Sequence, residues 1–107
     1  MIIERYKKRR CVRFMEEYKK RFIAEYYALE EKLIKLRDLL AKAHENQLDF
    51  NLTCPVVLLK YQHDAMEDYL KFLIMRSFIE EISLDYSDRI KDVYYSAIKD
   101  NVIGNYE

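Results

Sequence analysis

The sequence predicts an all-α protein: a long antiparallel helical hairpin with an N-terminal basic helical extension and a short C-terminal helix. Three observations carry that expectation. The 107 residues include one Gly and one Pro, too little punctuation for the turns a sheet requires. Phe22, Tyr26, Leu29, Leu33, Leu36, Leu40 and Ala43 recur at alternating steps of four and three, the period of a helix that lays one apolar seam against another. Downstream of Pro55 a second stretch, more apolar all round than the first, repeats with helical spacing.

The seam helix is charged on its outward positions, at Glu25, Glu30, Glu31, Lys32, Lys35, Arg37, Asp38 and Lys42. A helix so one-sided is unstable alone in water and needs a partner over its seam. Upstream, Cys11, Met15 and Tyr18 keep the same alternation, and nothing before Asn46 is a strong breaker. Residues 1–46 therefore read as one very long helix, or as a short first helix with a bend between Lys7 and Glu17. Asn46 suits the helix end. Residues 47–54 form the connection, with Leu48, Phe50 and Leu52 closing the open end of the pair.

Pro55 suits the first position of a second helix over 55–82, with Thr53 or Cys54 as its cap. The inward face of that helix reads Leu59, Gln62, Met66, Tyr69 or Leu70, Leu73, Phe78 and Ile82. Phe72, Ile74, Met75 and Ile79 fall off this stripe, more apolar surface than one partner covers. A third helix, a second subunit or both should cover it, so we expect a homo-oligomer. Residues 83–87 interrupt the pattern. Ile90, Val93, Tyr94, Ala97 and Ile98 then mark an amphipathic helix over 88–100. The whole of 1–107 reads as a single helical domain.

Net charge is zero, but residues 1–21 carry nine Lys/Arg against three Glu. A basic end on an acidic body suggests a site for something anionic, or a self-complementary assembly. Cys11 and Cys54 read as reduced thiols. No apolar run approaches the ~20 residues of a membrane span, and the start lacks the apolar core of a secretory signal. A soluble, cytoplasmic protein is expected, with no membrane partner.

Catalysis is not expected. There is no Gly-rich phosphate loop, no nucleophile elbow and no His pair on one helix face, and no Cys/His set has zinc spacing. Glu16-Glu17, Glu30-Glu31 and Glu80-Glu81 are sequence neighbours, which point about 100° apart on a helix and share no site. His63-Asp64 reads as helix surface, with His63 facing solvent. No catalytic residue, metal or cofactor is expected.

The chemistry lies in the basic, aromatic beginning. Arg13, Lys20 and Arg21 could neutralise phosphates through charge-assisted bonds, and Tyr6 and Tyr18 offer ring faces for a base. The pairs Tyr26-Tyr27 and Tyr94-Tyr95 should each place one ring inside and one at an edge. Gln62, an amide in an apolar stripe, could set register or oligomer state.

Two segments carry a family resemblance. The first runs from Arg21 through Leu29, Leu33 and Leu36; the second holds Leu58, Leu59, Gln62, Met66 and Tyr69. Over residues 21–79 the chain resembles the helical hairpin of small phage proteins related to the anti-CBASS and anti-Thoeris cyclic-nucleotide sponges, a family that includes crAss-like phage hairpin proteins. The resemblance implies a compact oligomer, often a hexamer, that binds a cyclic di- or oligonucleotide between subunits and does no chemistry on it. It implies a hairpin and subunit interface through Tyr26, Leu29, Leu33, Gln62, Met66 and Tyr69. Of the phosphate contacts, the match carries Arg21; Lys20 and Tyr18 follow from proximity and chemistry. The function expected is sequestration of a small anionic immune signal as phage counter-defence. The alternatives are a helical inhibitor of a host protein, of the anti-CRISPR kind, and a small nucleic-acid-binding protein using residues 5–21.

Overall fold

The computed structural model describes the backbone of residues 2–48 and 51–103 and the side chains of residues 16–48 and 51–100. Three α-helices make up the fold: α1, Ile2–His44; α2, Val56–Ile79; and α3, Lys91–Ile103. A single 3-10 turn, Asp88–Ile90, leads into α3. There is no strand among the described residues. α1 is one unbroken helix of 43 residues, so the bend considered between Lys7 and Glu17 does not interrupt it. At 1.5 Å per residue it is about 64 Å long.

α1 and α2 pack antiparallel as the hairpin, and α3 packs on α2. The core is built from four positions of the predicted seam, Phe22, Tyr26, Leu29 and Leu33, with Leu70, Leu73, Ile74 and Met75 of α2 and Ile82, Ile90, Val93 and Ala97 beyond it. Tyr26, Leu33, Leu70, Ile74 and Ile90 have no exposed surface. Ile74 and Met75, off the main stripe in the sequence, are buried in this core, and α3 meets α2 through Phe78–Tyr94 and Lys71–Asp100. The third helix is thus one of the expected partners of the second. The lower seam, Leu36, Leu40 and Ala43, is only half-buried.

Two details of α2 differ from expectation, and one open alternative is resolved. Gln62 is exposed; the buried residues Leu70, Leu73 and Ser77 define an inward face that turns Gln62 to its flank. Of the alternatives Tyr69 and Leu70, Leu70 is interior, and Tyr69 sits at the rim, 46% exposed, with its hydroxyl donating to Glu25 across the hairpin. Pro55 is the residue before the helix, extended at φ −58° and ψ 138°, and neither Thr53 nor Cys54 caps it with a side chain. Cys54 is a half-buried free thiol, whereas the side chain of Cys11 lies outside the described residues.

Both long helices end in the same way. Asn46 takes a left-handed conformation, φ 56°, with Asn46 N–H donating to Ala43 and Gln47 N–H to Lys42. That is the Schellman pattern, and Asn tolerates it well. Glu81 does the same for α2 at φ 55°, and Ile82 N–H closes on Ser77. The turn stops α2 at Ile79 rather than Ile82 and folds Ile82 back into the core, the apolar contact that accompanies this motif.

The segment 82–87 is tied down by tyrosines. Tyr27 accepts a hydrogen bond from Asp85 N–H at 2.8 Å, and Glu30 accepts from Ser87 N–H at 3.3 Å and from the Tyr26 hydroxyl at 2.6 Å. The Tyr86 ring meets Tyr26 edge-on at 5.9 Å and lies 4.4 Å from Tyr94, while its hydroxyl reaches buried Ser77 at 3.1 Å. Burial, then the Glu30 carboxylate, pushes the Tyr26 hydroxyl far above its ordinary range, so it remains a donor. The first tyrosine pair behaves as expected, with Tyr26 inside and Tyr27 at an edge; the second lies further out, with Tyr94 half-buried and Tyr95 exposed.

Candidate ligand-binding cleft

Where α1 and α2 part, the fold leaves a cleft of about 520 Å³ between Arg37, Leu40, Ala41, Ala43 and His44 on one side and Val56, Lys60, His63 and Asp64 on the other. Its size lies within the range of small-molecule sites. Leu40, Ala41, Ala43 and Val56 give it an apolar floor, and four basic side chains surround that floor. The local sequence permits the cleft, and the pairing of the helices forms it. Small Ala41 and Ala43 leave room on α1, and the connection after Asn46 spaces the helix ends.

One wall is fixed by Arg37, which uses all five of its N–H donors on protein acceptors. Nε donates to His63 Nε2 at 3.0 Å. Nη1 donates to the Arg89 carbonyl at 2.9 Å and Asp92 Oδ1 at 3.1 Å; Nη2 donates to Glu67 at 2.8 Å and Asp92 Oδ2 at 2.8 Å. The Asp92 pair is bidentate, the arrangement that suits a planar guanidinium. Arg37 therefore joins α1, α2 and the start of α3 at one point. Burial pulls its basicity down, but the hydrogen bonds and charges of Asp92 and Glu67 outweigh that and hold it above the ordinary value. Burial likewise opposes the Asp92 carboxylate, and the Arg37 bonds outweigh it and hold Asp92 below the usual range.

His63 is not turned to solvent, as expected from the sequence, but stands half-buried in this network. Its Nε2 accepts from Arg37, which places the ring proton on Nδ1, 3.1 Å from Asp64 Oδ1. Arg37 and His63 are thus spent on the protein. Lys60 and His44, both exposed at the cleft, form no hydrogen bond or ion pair with another described residue. Lys60 is the cation available to an anionic guest, and the His44 imidazole stands beside it with its ring nitrogens free of other described residues. No group of three or more His, Cys, Asp or Glu among the described residues is arranged to hold a metal ion.

At the other end of the hairpin stand the residues that the sequence singled out. Lys20 and Arg21 are exposed, and Tyr18 is half-buried. The Tyr18 hydroxyl accepts from Arg76, whose guanidinium carbon lies 4.9 Å from the centre of the Phe22 ring and whose Nε bonds Glu80 at 3.2 Å. Two helix steps turn by about 200°, so Lys20 lies on the far side of α1 from Tyr18, while Arg21 is its neighbour one turn on. The side chains of Tyr6 and Arg13 lie outside the described residues. Of the expected interface residues, Tyr26, Leu29 and Leu33 are buried in the hairpin, Met66 packs at its edge, Tyr69 is at the rim and Gln62 is outside. The cleft residues carried one sequence signal, two histidines and two cations flanking the connection. They are spread over residues 37–64, and only the hairpin brings them together.

Fold and cleft together define a helical-hairpin protein with a pocket beside the connection that joins its two long helices. The chain belongs to the Sequestin family, whose model matches residues 16–79, the hairpin itself. No curated protein and no solved structure matches it. Among the described residues, no helix is long and apolar enough to cross a membrane.

Proposed function

We propose that this protein captures a cyclic di- or oligonucleotide immune signal and holds it without turnover, as a phage counter-defence protein in the host cytoplasm, acting as a homo-oligomer. Membership of a family named for sequestration supports binding as the activity. The observation that carries the choice of ligand is the cleft: an uncommitted cation, Lys60, and the imidazole of His44 stand over an apolar floor of Leu40, Ala41 and Val56. The ammonium matches a phosphate, the imidazole offers it a hydrogen bond, and the floor accepts the flat face of a base or the ribose carbons. Arg37, already saturated, serves as a rigid wall. A pocket that needs no rearrangement loses little entropy on binding, which favours the slow release that sequestration demands.

The test is a thermal-shift screen against cyclic di- and trinucleotides and ADP-ribose derivatives. A ligand selective for the folded state, at about a hundred times its Kd, should raise Tm by roughly 10 °C. Lys60→Glu should abolish the shift, and Lys20→Glu and Arg21→Glu should leave it within about twofold in affinity. The opposite pattern would move the site to the basic end of α1. No shift with any of these ligands, together with DNA or RNA binding that collapses as salt rises, would replace this function with nucleic-acid binding.

A further inference from the structure

α2 has a third face. Its inward side meets α1, and α3 packs on a second side through Lys71–Asp100 and Phe78–Tyr94, but Leu58, Tyr61, Phe72 and Ile79 stay 54–66% exposed on the side away from both. With Ala65 and Arg76 they form one stripe down the helix, since 58, 61, 65, 72, 76 and 79 follow one another at three- and four-residue steps or their sum. Exposed fractions of this size leave roughly 500 Å² of apolar surface on each copy, about 1,000 Å² when two such faces meet, the lower bound for a specific interface.

We infer that a second copy of this chain docks on this stripe, with the two α2 helices antiparallel about a two-fold axis between Asp68 and Tyr69. The pattern of the stripe selects this occupant. Its steps run three, four, seven, four, three, the same in either direction, so an antiparallel copy meets it in register. About that axis Leu58 faces Ile79 of the second copy, small Ala65 faces large Phe72, and the Tyr61 ring faces Arg76. Each pair is complementary: aliphatic against aliphatic, hole against knob, and π-face against cation. Arg76 is already oriented by Tyr18 and Glu80 and keeps nearly half of its side chain exposed. A parallel pairing would instead set Phe72 against Phe72 and Arg76 against Arg76, crowding the centre and opposing two cations. This inference rests on the homo-oligomer proposed above and not on the ligand.

Two measurements on the full chain test it. Sedimentation or light scattering at micromolar concentration should give a mass of at least twice 13.1 kDa. Phe72→Glu should weaken association about 30-fold or more while circular dichroism stays helical. In a background with both native cysteines replaced by serine, Leu58→Cys and Ile79→Cys chains should form a disulfide when mixed and none when either is alone. A monomer mass overturns both the oligomer and this surface. An oligomer that ignores Phe72→Glu, or a Leu58→Cys chain that cross-links to itself, overturns the surface or its antiparallel register and leaves the oligomer standing.

Discussion

Arg37 is the residue on which three helices converge. Each of its donors has an acceptor, and the acceptors come from two distant parts of the chain: His63 and Glu67 from α2, Arg89 and Asp92 from the start of α3. Asp92 carries a consequence for pH. Its folded carboxyl is held below the ordinary value, so the stabilisation it contributes is present above about pH 4 and is lost as pH falls through the folded value. Asp92→Asn should therefore lower Tm at neutral pH and flatten the fall in Tm between pH 5 and 3, as read by calorimetric scans at stepped pH. An equal acid slope in both proteins would show that the ion pair does not couple α3 to the hairpin. In the sequence Arg37 looked like one more solvated charge beside the seam. A local pattern does not reveal that residues 30 and 55 positions away converge on it.

At the scale of the element, helix ends set what each helix can do. Asn46 turns the chain in a left-handed conformation that asparagine accepts, and it was legible as a terminator. Glu81 adopts the same conformation with a Cβ that clashes with the following carbonyl, at a cost of about 1 kcal/mol. Its sequence context, Glu80-Glu81-Ile82, continues a helical pattern, so the expected end at Ile82 ran past the actual stop. Glu81→Gly should relieve that clash and stabilise the protein by about 0.5–1 kcal/mol, measurable as a higher urea midpoint with an unchanged m-value. A lower midpoint would mean that Glu81 makes a contact worth more than its strain. The tyrosine-pinned segment 82–87 depends on the same turn, because the turn delivers Ile82 and Tyr86 to the core.

At the scale of the whole molecule, α3 turns a thin pair of helices into a core. Packed on α2, it adds Ile90, Val93 and Ala97 to the core with its lead-in. A chain stopped after Ile82 would expose the side of α2 around Lys71 and Phe78 beside the stripe that is already open. We expect it to unfold at lower temperature and bind a hydrophobic dye in its native baseline; a truncated chain with the parent's Tm would show that the hairpin is self-sufficient. The family match ends at residue 79, so α3 lies beyond the matched segment and reinforces the shared hairpin from outside it.

By itself the sequence determined the helices, the pairing of the two long ones and the upper half of their seam. These depend on periodicity and on scarce helix breakers, both properties of neighbours along the chain. Tertiary structure alone decided that Gln62 turns outward, that Ile74 and Met75 go inside, that His63 joins Arg37, and that a cleft opens where Leu40 and Val56 separate. Each of these depends on the angle at which one helix crosses another and on which side the third arrives. A few degrees of helix rotation exchange a buried position for a flanking one, and the spacing of apolar residues along a single helix does not encode that rotation.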